Sequence, residues 1–484
     1  MGTMSPPPAD RLEPTVAGSL VRAALPALGF GVAYALATEL GRATRAVDSE
    51  VSLLWPAAAV ATLWAIHLRT LGARSAGLQW GVLAALTFGI NLRTGAGLDL
   101  SLWFVLVNLA LAAITSGVLS YGGRRPRLRD PLDLGRLIVA VAAGTLVAGL
   151  LAVVWFASVG RGHLVETFAL FTVRNGVAAL GGVAIVLRLR EHRRTGGPVS
   201  GAHLLEGLGC LLVTAGVLAA LWALPGISLA FLLSVPALWV ALRFSIPSSA
   251  VFIVATAAAV AVTTIAERGP YAGLAPVEQA LLAQGLVGTT MLTVLALSLH
   301  RDSRTDLITQ LRHLAQHDPL TGLANRALLI ERIERELQRP RSQRPTVGIL
   351  YIDLDGFKQI NDAWGHREGD LVLSEMAGRI SAMVDDADLV ARIGGDEFVV
   401  ACFTIADQAG LHTTAERVRA GIAVPYGEAA DAPYDRITAS IGTALAGRSS
   451  TARSLLVEAD RAMYDAKRSG RNRTLPSSYV LRRA

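Results

Sequence analysis

The sequence predicts two fold classes in one chain, a multi-pass α-helical membrane domain followed by a soluble α+β domain, on three observations. Of 484 residues, 52% are hydrophobic and only 17% are charged, against roughly 25% charged in an average soluble domain. A disordered chain, which combines low hydrophobicity with high charge, is excluded by the same numbers. The charge is also unevenly placed: residues 1–300 carry 20 Arg and 13 Asp or Glu, whereas residues 301–484 carry 25 Lys or Arg and 25 Asp or Glu. The net charge of +7 therefore belongs to the apolar part and not to a basic face on a soluble domain, so no nucleic-acid partner is expected. Lastly, apolar runs of about 20 residues, the length that crosses a bilayer, recur up to residue 299. Beyond it they shorten into strand and helix patterns.

Candidate spans fall near 20–40, 51–68, 77–92, 100–121, 135–157, 167–187, 203–223, 226–243, 247–266 and 276–299. The third is short, and only Pro225-Gly226 and neighbours separate the seventh from the eighth, so eight to ten spans are expected. An even number puts both ends on one side. With the N-terminus inside, the inner loops hold Arg69, Arg74, Arg124, Arg125, Arg127, Arg129, Arg136, Arg188, Arg190, Arg193, Arg194 and Arg243. The outer loops then hold only Arg42, Arg45, Arg93, Arg161 and Arg268. This is the asymmetry of the positive-inside rule, and it puts the soluble domain in the cytoplasm. A signal peptide cleaved after Ala35-Leu36-Ala37 is disfavoured, because its apolar core exceeds the usual length of about 7–15 residues.

Polar groups at membrane depth are costly and mark candidate functional positions. Arg174-Asn175 interrupts the sixth span, Asn91, Asn108 and Gln284 lie inside others, and Trp55-Pro56 opens the second. Hydrogen bonds between helices account for the Asn and Gln residues, which leaves Arg174 as the candidate ligand or signal site. Paired carboxylates of an ion relay are missing from the spans, which argues against a transporter with a regulatory tail. Cys210 and Cys402 have no neighbours at metal-ligand spacing and read as small buried hydrophobes.

Residues 300–317 continue the last span as a polar linker helix. Leu307, Leu311 and Leu314 fall on one stripe at spacings of four and three, which suits a short dimer seam or packing on the next domain. His313 and His317 read as exposed helix residues, since no Gly-rich ATP lid follows.

The soluble part reads as helix 325–338, strand 346–353, helix 365–383, strands 387–393 and 397–403, helix 405–422, strand 435–445 and helix 452–469, an α+β order. Two constellations carry chemistry. The run Val347 to Ile352 delivers Asp353-Leu354-Asp355-Gly356-Phe357-Lys358, with Asp353 and Asp355 on one face of a strand. An EF-hand is excluded, because its third ligand position would be Phe357 and its glycine would be Lys358. Arg392-Ile393-Gly394-Gly395-Asp396-Glu397-Phe398 is a tight hairpin that presents adjacent carboxylates. Brought beside Asp353, these acids make a hard-oxygen site for Mg²⁺ or Mn²⁺. The chain has 43 Arg and only two Lys; both, Lys358 and Lys467, lie in motif segments, and a compact ammonium suits phosphate.

These segments resemble the GGDEF family of diguanylate cyclases from about residue 310 to 475. Asp318-Pro319-Leu320-Thr321-Gly322-Leu323-Ala324-Asn325-Arg326 is similar to the family's opening motif. Asp353 to Asp362 with Gly365-His366 and Gly369-Asp370 is similar to its metal and base-reading segment. Thr438-Ala439-Ser440-Ile441-Gly442 matches a late strand, and Ala462 to Lys467 with Gly470-Arg471-Asn472 a closing helix. The first part, including Leu-Trp-Pro-Ala-Ala at 54–58, resembles the MASE1-type bacterial membrane sensor domains.

The resemblance implies a ferredoxin-like fold related to nucleotidyl cyclase and polymerase palm domains. It implies a homodimer in which two GTP, one on each facing subunit, become cyclic di-GMP and pyrophosphate. Asp353, the carbonyl of Leu354, Asp396 and Glu397 would hold two Mg²⁺ or Mn²⁺ per half-site, with Asp396 and Glu397 catalytic and Asp396 the proton acceptor. Asn361 and Asp370 would read guanine with His366 near the nucleotide, Gly394 and Gly395 would line the phosphates, and Lys358, Lys467 and Arg471 would neutralise them. The product, cyclic di-GMP, would act on downstream receptors, and the protein would sit in the bacterial inner membrane.

The expected organisation is a disordered tail over 1–19, the membrane sensor over 20–299, the linker over 300–317, the cyclase over 318–475 and a tail over 476–484. No cyclic di-GMP hydrolase domain is expected in this sequence. One departure stands out. The Arg of the family's Arg-x-x-Asp product-inhibition site is replaced by Asp385, while Asp388 is kept, so tight feedback inhibition is expected to be absent. The alternative to a cyclase is a silent domain that binds GTP or cyclic di-GMP and signals by interaction.

Overall fold

The structure is a computed structural model that describes residues 16–45, 52–160, 163–191, 201–224, 227, 229–339, 346–425 and 437–477. Most of the expected N-terminal tail, the C-terminal residues from 478, Pro225-Gly226, and the loop arginines Arg161, Arg193 and Arg194 lie outside the described residues. The chain divides into two compact units, Met1–Thr305 and Asp306–Ala484.

The first unit is helical: α1 (Val16–Ala43), α2 (Ala57–Leu68), α3 (Ala73–Arg93), α4 (Leu98–Leu119), α5 (Pro131–Ser158), α6 (Leu164–Glu191), α7 (Gly201–Ala223), α8 (Ser234–Arg243), α9 (Ile246–Ile265) and α10 (Pro276–Gln316), whose residues from Asp306 onward are assigned to the second unit. Local chemistry sets their ends. The Asp130 carboxylate accepts the Asp133 N–H and Pro131 begins the first turn of α5, a cap and a proline each suited to a helix start. Seven described helices, α1, α4, α5, α6, α7, α9 and α10, are long and apolar enough to cross a membrane. The runs expected near 51–68 and 226–243 yield only short helices of 12 and 10 residues. Pro56 holds back the start of α2, and a single 3₁₀ turn, Ala230–Leu233, precedes α8. Inside the bundle Trp64 is fully buried, and its indole N–H donates to Gln79 Oε1 at 2.8 Å. Outward faces stay apolar, with Leu25, Leu102, Val139, Leu211 and Val251 all exposed. Helices that are apolar on every side belong in a large core or in lipid.

The second unit holds α11 (Arg326–Leu337), β1 (Gly348–Asp355), α12 (Phe357–Trp364), α13 (His366–Ala382), β2 (Leu389–Gly394), β3 (Glu397–Cys402), α14 (Gln408–Ile422), β4 (Thr438–Leu445), α15 (Ala452–Arg468) and β5 (Thr474–Pro476). The sheet order is β2-β3-β1-β4-β5, antiparallel throughout except for the parallel β4–β5 pair. Its first four strands have the β-α-β-β-α-β order and topology of a ferredoxin-like sheet. Strand alternation divides the core. Leu350, Ile352, Leu354, Phe398 and Val400 pack with Val372, Met376 and Leu411 on one face, and Ile349, Tyr351, Val399 and Ala401 pack with Leu329, Ile333 and Leu455 on the other. The expected single helix over 365–383 is α13, but a separate short helix, α12, precedes it, and β5 was not foreseen.

Candidate active site

Alternation along β1 puts Tyr351, Asp353 and Asp355 on the same face, as the spacing requires. Asp355 is not free to hold a cation. Its carboxylate accepts the hydroxyls of Thr438 and Ser440, both at 2.8 Å, and the Asn472 N–H at 3.0 Å. It ties the end of β1 to β4 and to the chain after α15. Asp353 is buried, 5% exposed, and lies opposite Glu397 in the β1–β3 register. The next backbone N–H, that of Leu354, donates to the Asp396 carbonyl at 3.3 Å. The Leu354 side chain is buried in the core, so only its backbone is available to a ligand.

The hairpin that brings Asp396 and Glu397 to Asp353 turns on Gly395, whose φ of 55° is the left-handed region that glycine enters at little cost. Arg392 holds this turn from beneath. Its Nε and Nη2 donate to the Gly395 carbonyl at 3.0 and 2.8 Å, and its Nη1 reaches both Asp318 oxygens at 3.0 and 3.2 Å. Asp318 also accepts the N–H and hydroxyl of Thr321 at 2.9 and 2.8 Å. Burial tends to raise the Asp318 carboxyl, but these bonds and the Arg392 charge leave it below the usual carboxylate range. Glu397 is oriented by Tyr351, whose hydroxyl donates to Oε2 at 3.0 Å. Neither the Arg392 clamp nor the Tyr351 contact was anticipated. The available signal was position: Arg392 lies inside the hairpin motif, and Tyr351 is two residues before Asp353.

Electrostatically the site is short of positive charge. Burial, together with the charges of Asp396 and Glu397 and against the pull of Lys467, raises the Asp353 carboxyl to about 6. Lys467 Nζ lies 2.5 Å from Asp353 Oδ2. Lys467, expected at the triphosphate, is here paired with an expected metal ligand. Among the described residues, no three His, Cys, Asp or Glu side chains are gathered into a preassembled metal site. The donors are nevertheless hard oxygens, two strand-adjacent acids repel a third, and an ammonium supplies the missing charge. Such a set fits a divalent cation that displaces the lysine.

The remaining candidates are placed as follows. The Lys358 side chain is exposed on α12 and makes no hydrogen bond or ion pair among the described residues. His366 and Asp370 are exposed on the first turns of α13. Asn361 is half-buried, and Gly369 clears space for it: a Cβ there would lie 2.0 Å from Asn361 Oδ1. Gly394 and Gly395 are exposed, with open space where a Cβ would stand, so a phosphate can approach their backbone. Arg471 has a φ of 56°, and its N–H donates to the Ala466 carbonyl at 3.2 Å, which closes the end of α15. At the position of the product-inhibition motif, Asp388 accepts the Phe403 N–H at 2.8 Å, and Asp385 accepts the Thr404 hydroxyl at 3.0 Å.

The family model described as diguanylate cyclase, GGDEF domain, matches residues 315–473. The chain is 36% identical over 297 residues to the bifunctional diguanylate cyclase/cyclic di-GMP phosphodiesterase MucR of Pseudomonas aeruginosa, covering 55% of this chain and 43% of MucR. It is 41% identical over 162 residues to the diguanylate cyclase TpbB of the same organism, covering 33% of this chain and 37% of TpbB. The MucR match is longer than the GGDEF region and extends upstream of it. The crystal structure of the coiled coil and GGDEF domain of DgcB from Caulobacter crescentus in complex with c-di-GMP aligns at 30% identity over 37% of this chain and 93% of that chain, with a TM-score of 0.34. The chain spans less than half the length of these two curated relatives. None of these matches names a MASE1-type domain. Residues 315–473 belong to the GGDEF family of diguanylate cyclase domains.

Proposed function

We propose that this chain is a membrane-anchored diguanylate cyclase that condenses two GTP into cyclic di-GMP and two pyrophosphates under the control of its N-terminal transmembrane unit. The observation that carries the reading is the register that sets Asp353 opposite Glu397 at the end of β1, with Asp396 next to Glu397 in the hairpin and Asp353 driven up by burial and by the charges of those two acids. A domain that only binds nucleotide has no need of three acids held at that cost. Asp353, Asp396, Glu397 and the Leu354 carbonyl would hold Mg²⁺ or Mn²⁺, two per half-site. The chemistry supplied by the bound cation is Lewis-acid stabilisation of the α-phosphate and a more acidic 3′-hydroxyl.

The chain's own residues do the rest. The Asp396 carboxylate accepts the 3′-hydroxyl proton, and Tyr351 fixes Glu397 beside it. Gly394 and Gly395 let phosphate oxygens reach backbone N–H groups, while Lys358, Lys467 and Arg471 offset their charge. Asn361 and Asp370 present an acceptor and donor set to the guanine edge, with His366 close by.

One subunit supplies one nucleotide, so the reaction needs a second copy. Leu307, Leu311 and Leu314 of α10 are 56%, 64% and 69% exposed on one stripe, which supports the homodimer seam. Positioning two reactants is itself a large rate factor, and a signal that changes the pairing of α10 changes the rate. The arginine asymmetry and the seven long apolar helices support an inner-membrane location with the cyclase in the cytoplasm. The test is to incubate the full-length protein in detergent with GTP and Mg²⁺ and weigh the products. Cyclic di-GMP and pyrophosphate are expected; bound but unaltered GTP would favour the silent binder.

A further inference from the structure

Arg174 lies in the third turn of α6, about 15 Å from its first residue at 1.5 Å per residue, in the outer half of the membrane unit on the arginine-derived orientation. Its guanidinium carbon stands over the Trp55 ring at 5.1 Å and over the Phe171 ring at 5.5 Å. The Nε is buried and has no hydrogen-bond partner. Among the described residues Arg174 makes no ion pair, and a charged group acting on it is that of Arg45, of the same sign. Aromatic faces return less to such a cation than the desolvation that burial of a charge costs. Among the described residues, the unit therefore holds a positive charge without a partner.

Further oxygens on these helices are buried without partners, Thr172 Oγ1 and Asn175 Oδ1 beside Arg174 on α6 and Gln284 Oε1 on α10. Gln284 Nε2 donates to the Leu53 carbonyl, on the short segment that carries Trp55 into α2. Arg174, Trp55 and Gln284 thus belong to three neighbouring elements, and α10 runs unbroken from Gln284 to Gln316.

We propose that Arg174 is the anchor of a ligand site in the membrane unit that takes an oxyanion, above all a carboxylate, on an apolar body. A guanidinium fork pairs such groups with two parallel hydrogen bonds, and the Trp55 and Phe171 rings offer flat apolar walls beside it. Two sources carry the group, a free carboxylate reaching the outer half of the bundle and the headgroup of an anionic lipid. Occupancy would move the Trp55 segment, and with it the Leu53–Gln284 bond to α10.

The test uses the full-length protein in phosphatidylcholine nanodiscs, with thermal midpoint and tryptophan fluorescence followed as acetate, octanoate and benzoate are added. A parallel set contains phosphatidylglycerol without added acid. A saturable rise in midpoint is expected in one arm, and the responding arm identifies the source. Arg174→Gln is expected to weaken that response at least about tenfold, the loss of one charge-assisted hydrogen bond. Should Arg174→Gln fail to elute as folded protein, Arg174→Lys, which keeps the charge but not the fork, is expected to weaken it as well. A wild-type protein unmoved in both arms, or a response unchanged in these variants, overturns the proposal. Both readouts report binding, so they stand whether or not the cyclase reading holds.

Discussion

Lys467 Nζ lies 2.5 Å from Asp353 Oδ2, so the carboxylate expected to hold a divalent cation carries its own ammonium counter-ion. A cation must compete with that ammonium. In Lys467→Ala we therefore expect tighter Mg²⁺ binding without nucleotide, by several-fold, together with a KM for GTP raised about tenfold through loss of a charged phosphate contact. Calorimetric Mg²⁺ titration and steady-state kinetics check the two halves separately. Unchanged values in both would remove Lys467 from the site.

Asp353 supplies a pH dependence. Its carboxyl is raised to about 6, above an unfolded value of about 3.9, so the folded state holds the proton more tightly. Ionisation therefore costs stability as pH rises from about 4 to about 6, and a bound cation offsets that cost above this window. The rise in thermal midpoint caused by Mg²⁺ is expected to be full at pH 7.5, to shrink through pH 6 and to be lost by pH 5. Asp353→Asn is expected to abolish it at every pH. A Mg²⁺ effect independent of pH would contradict the assignment.

Arg392 ties the Gly395 carbonyl to Asp318, with side chains only 12% and 18% exposed. Removing one member of such a pair leaves the other partly buried and unpaired, at about 3 kcal/mol. Arg392→Ala is expected to lower the chemical-denaturation stability of the cyclase unit by that order. At temperatures where it remains folded, it is expected to reduce kcat more than KM, because the hairpin acids lose their support. Equal stability and kcat would show the clamp to be dispensable.

Product control should differ from that of relatives with the complete motif. With Asp385 where an Arg would grip phosphate, and Asp388 already accepting the Phe403 N–H, added cyclic di-GMP is expected not to slow the initial rate at low micromolar concentration. Strong inhibition that vanishes in a folded Asp388→Ala variant would contradict this.

The exposed leucine stripe gives a further outcome. Leu311→Glu places a charge in the proposed seam and is expected to shift the full-length protein toward monomer in light scattering. The rate should fall at least about tenfold through loss of facing half-sites. A monomeric but fully active variant would refute the two-copy requirement.

Much of the cyclase unit was legible because its strands and longer helices obey clear periodicities. β1, β2, β3, α13, α14 and α15 fall within a few residues of their expected ranges. β1 was placed two residues early because Asp353 and Asp355 look like a loop in composition. The strand continues through them because Thr438, Ser440 and the Asn472 N–H satisfy the Asp355 carboxylate. Helix α12 has too few residues to establish a period, and Gly365, at φ 82°, separates it from α13. β5, three residues long, exists through pairing with β4 and has no pattern of its own. The acids were legible as a set from the hairpin motif, whereas the Lys467–Asp353 pair and the Arg392–Asp318 clamp join residues far apart in sequence. In the first unit, apolar run length in the sequence did not separate the seven long apolar helices from the short helices α2 and α8.

The most direct test of the shared cation is Mn²⁺ binding by the full-length protein, followed by electron paramagnetic resonance, in wild type, Asp353→Asn and Asp396→Asn. Binding by the wild type that is lost in both variants is the expected result. Wild-type affinity retained in either variant would contradict a cation held between β1 and the hairpin.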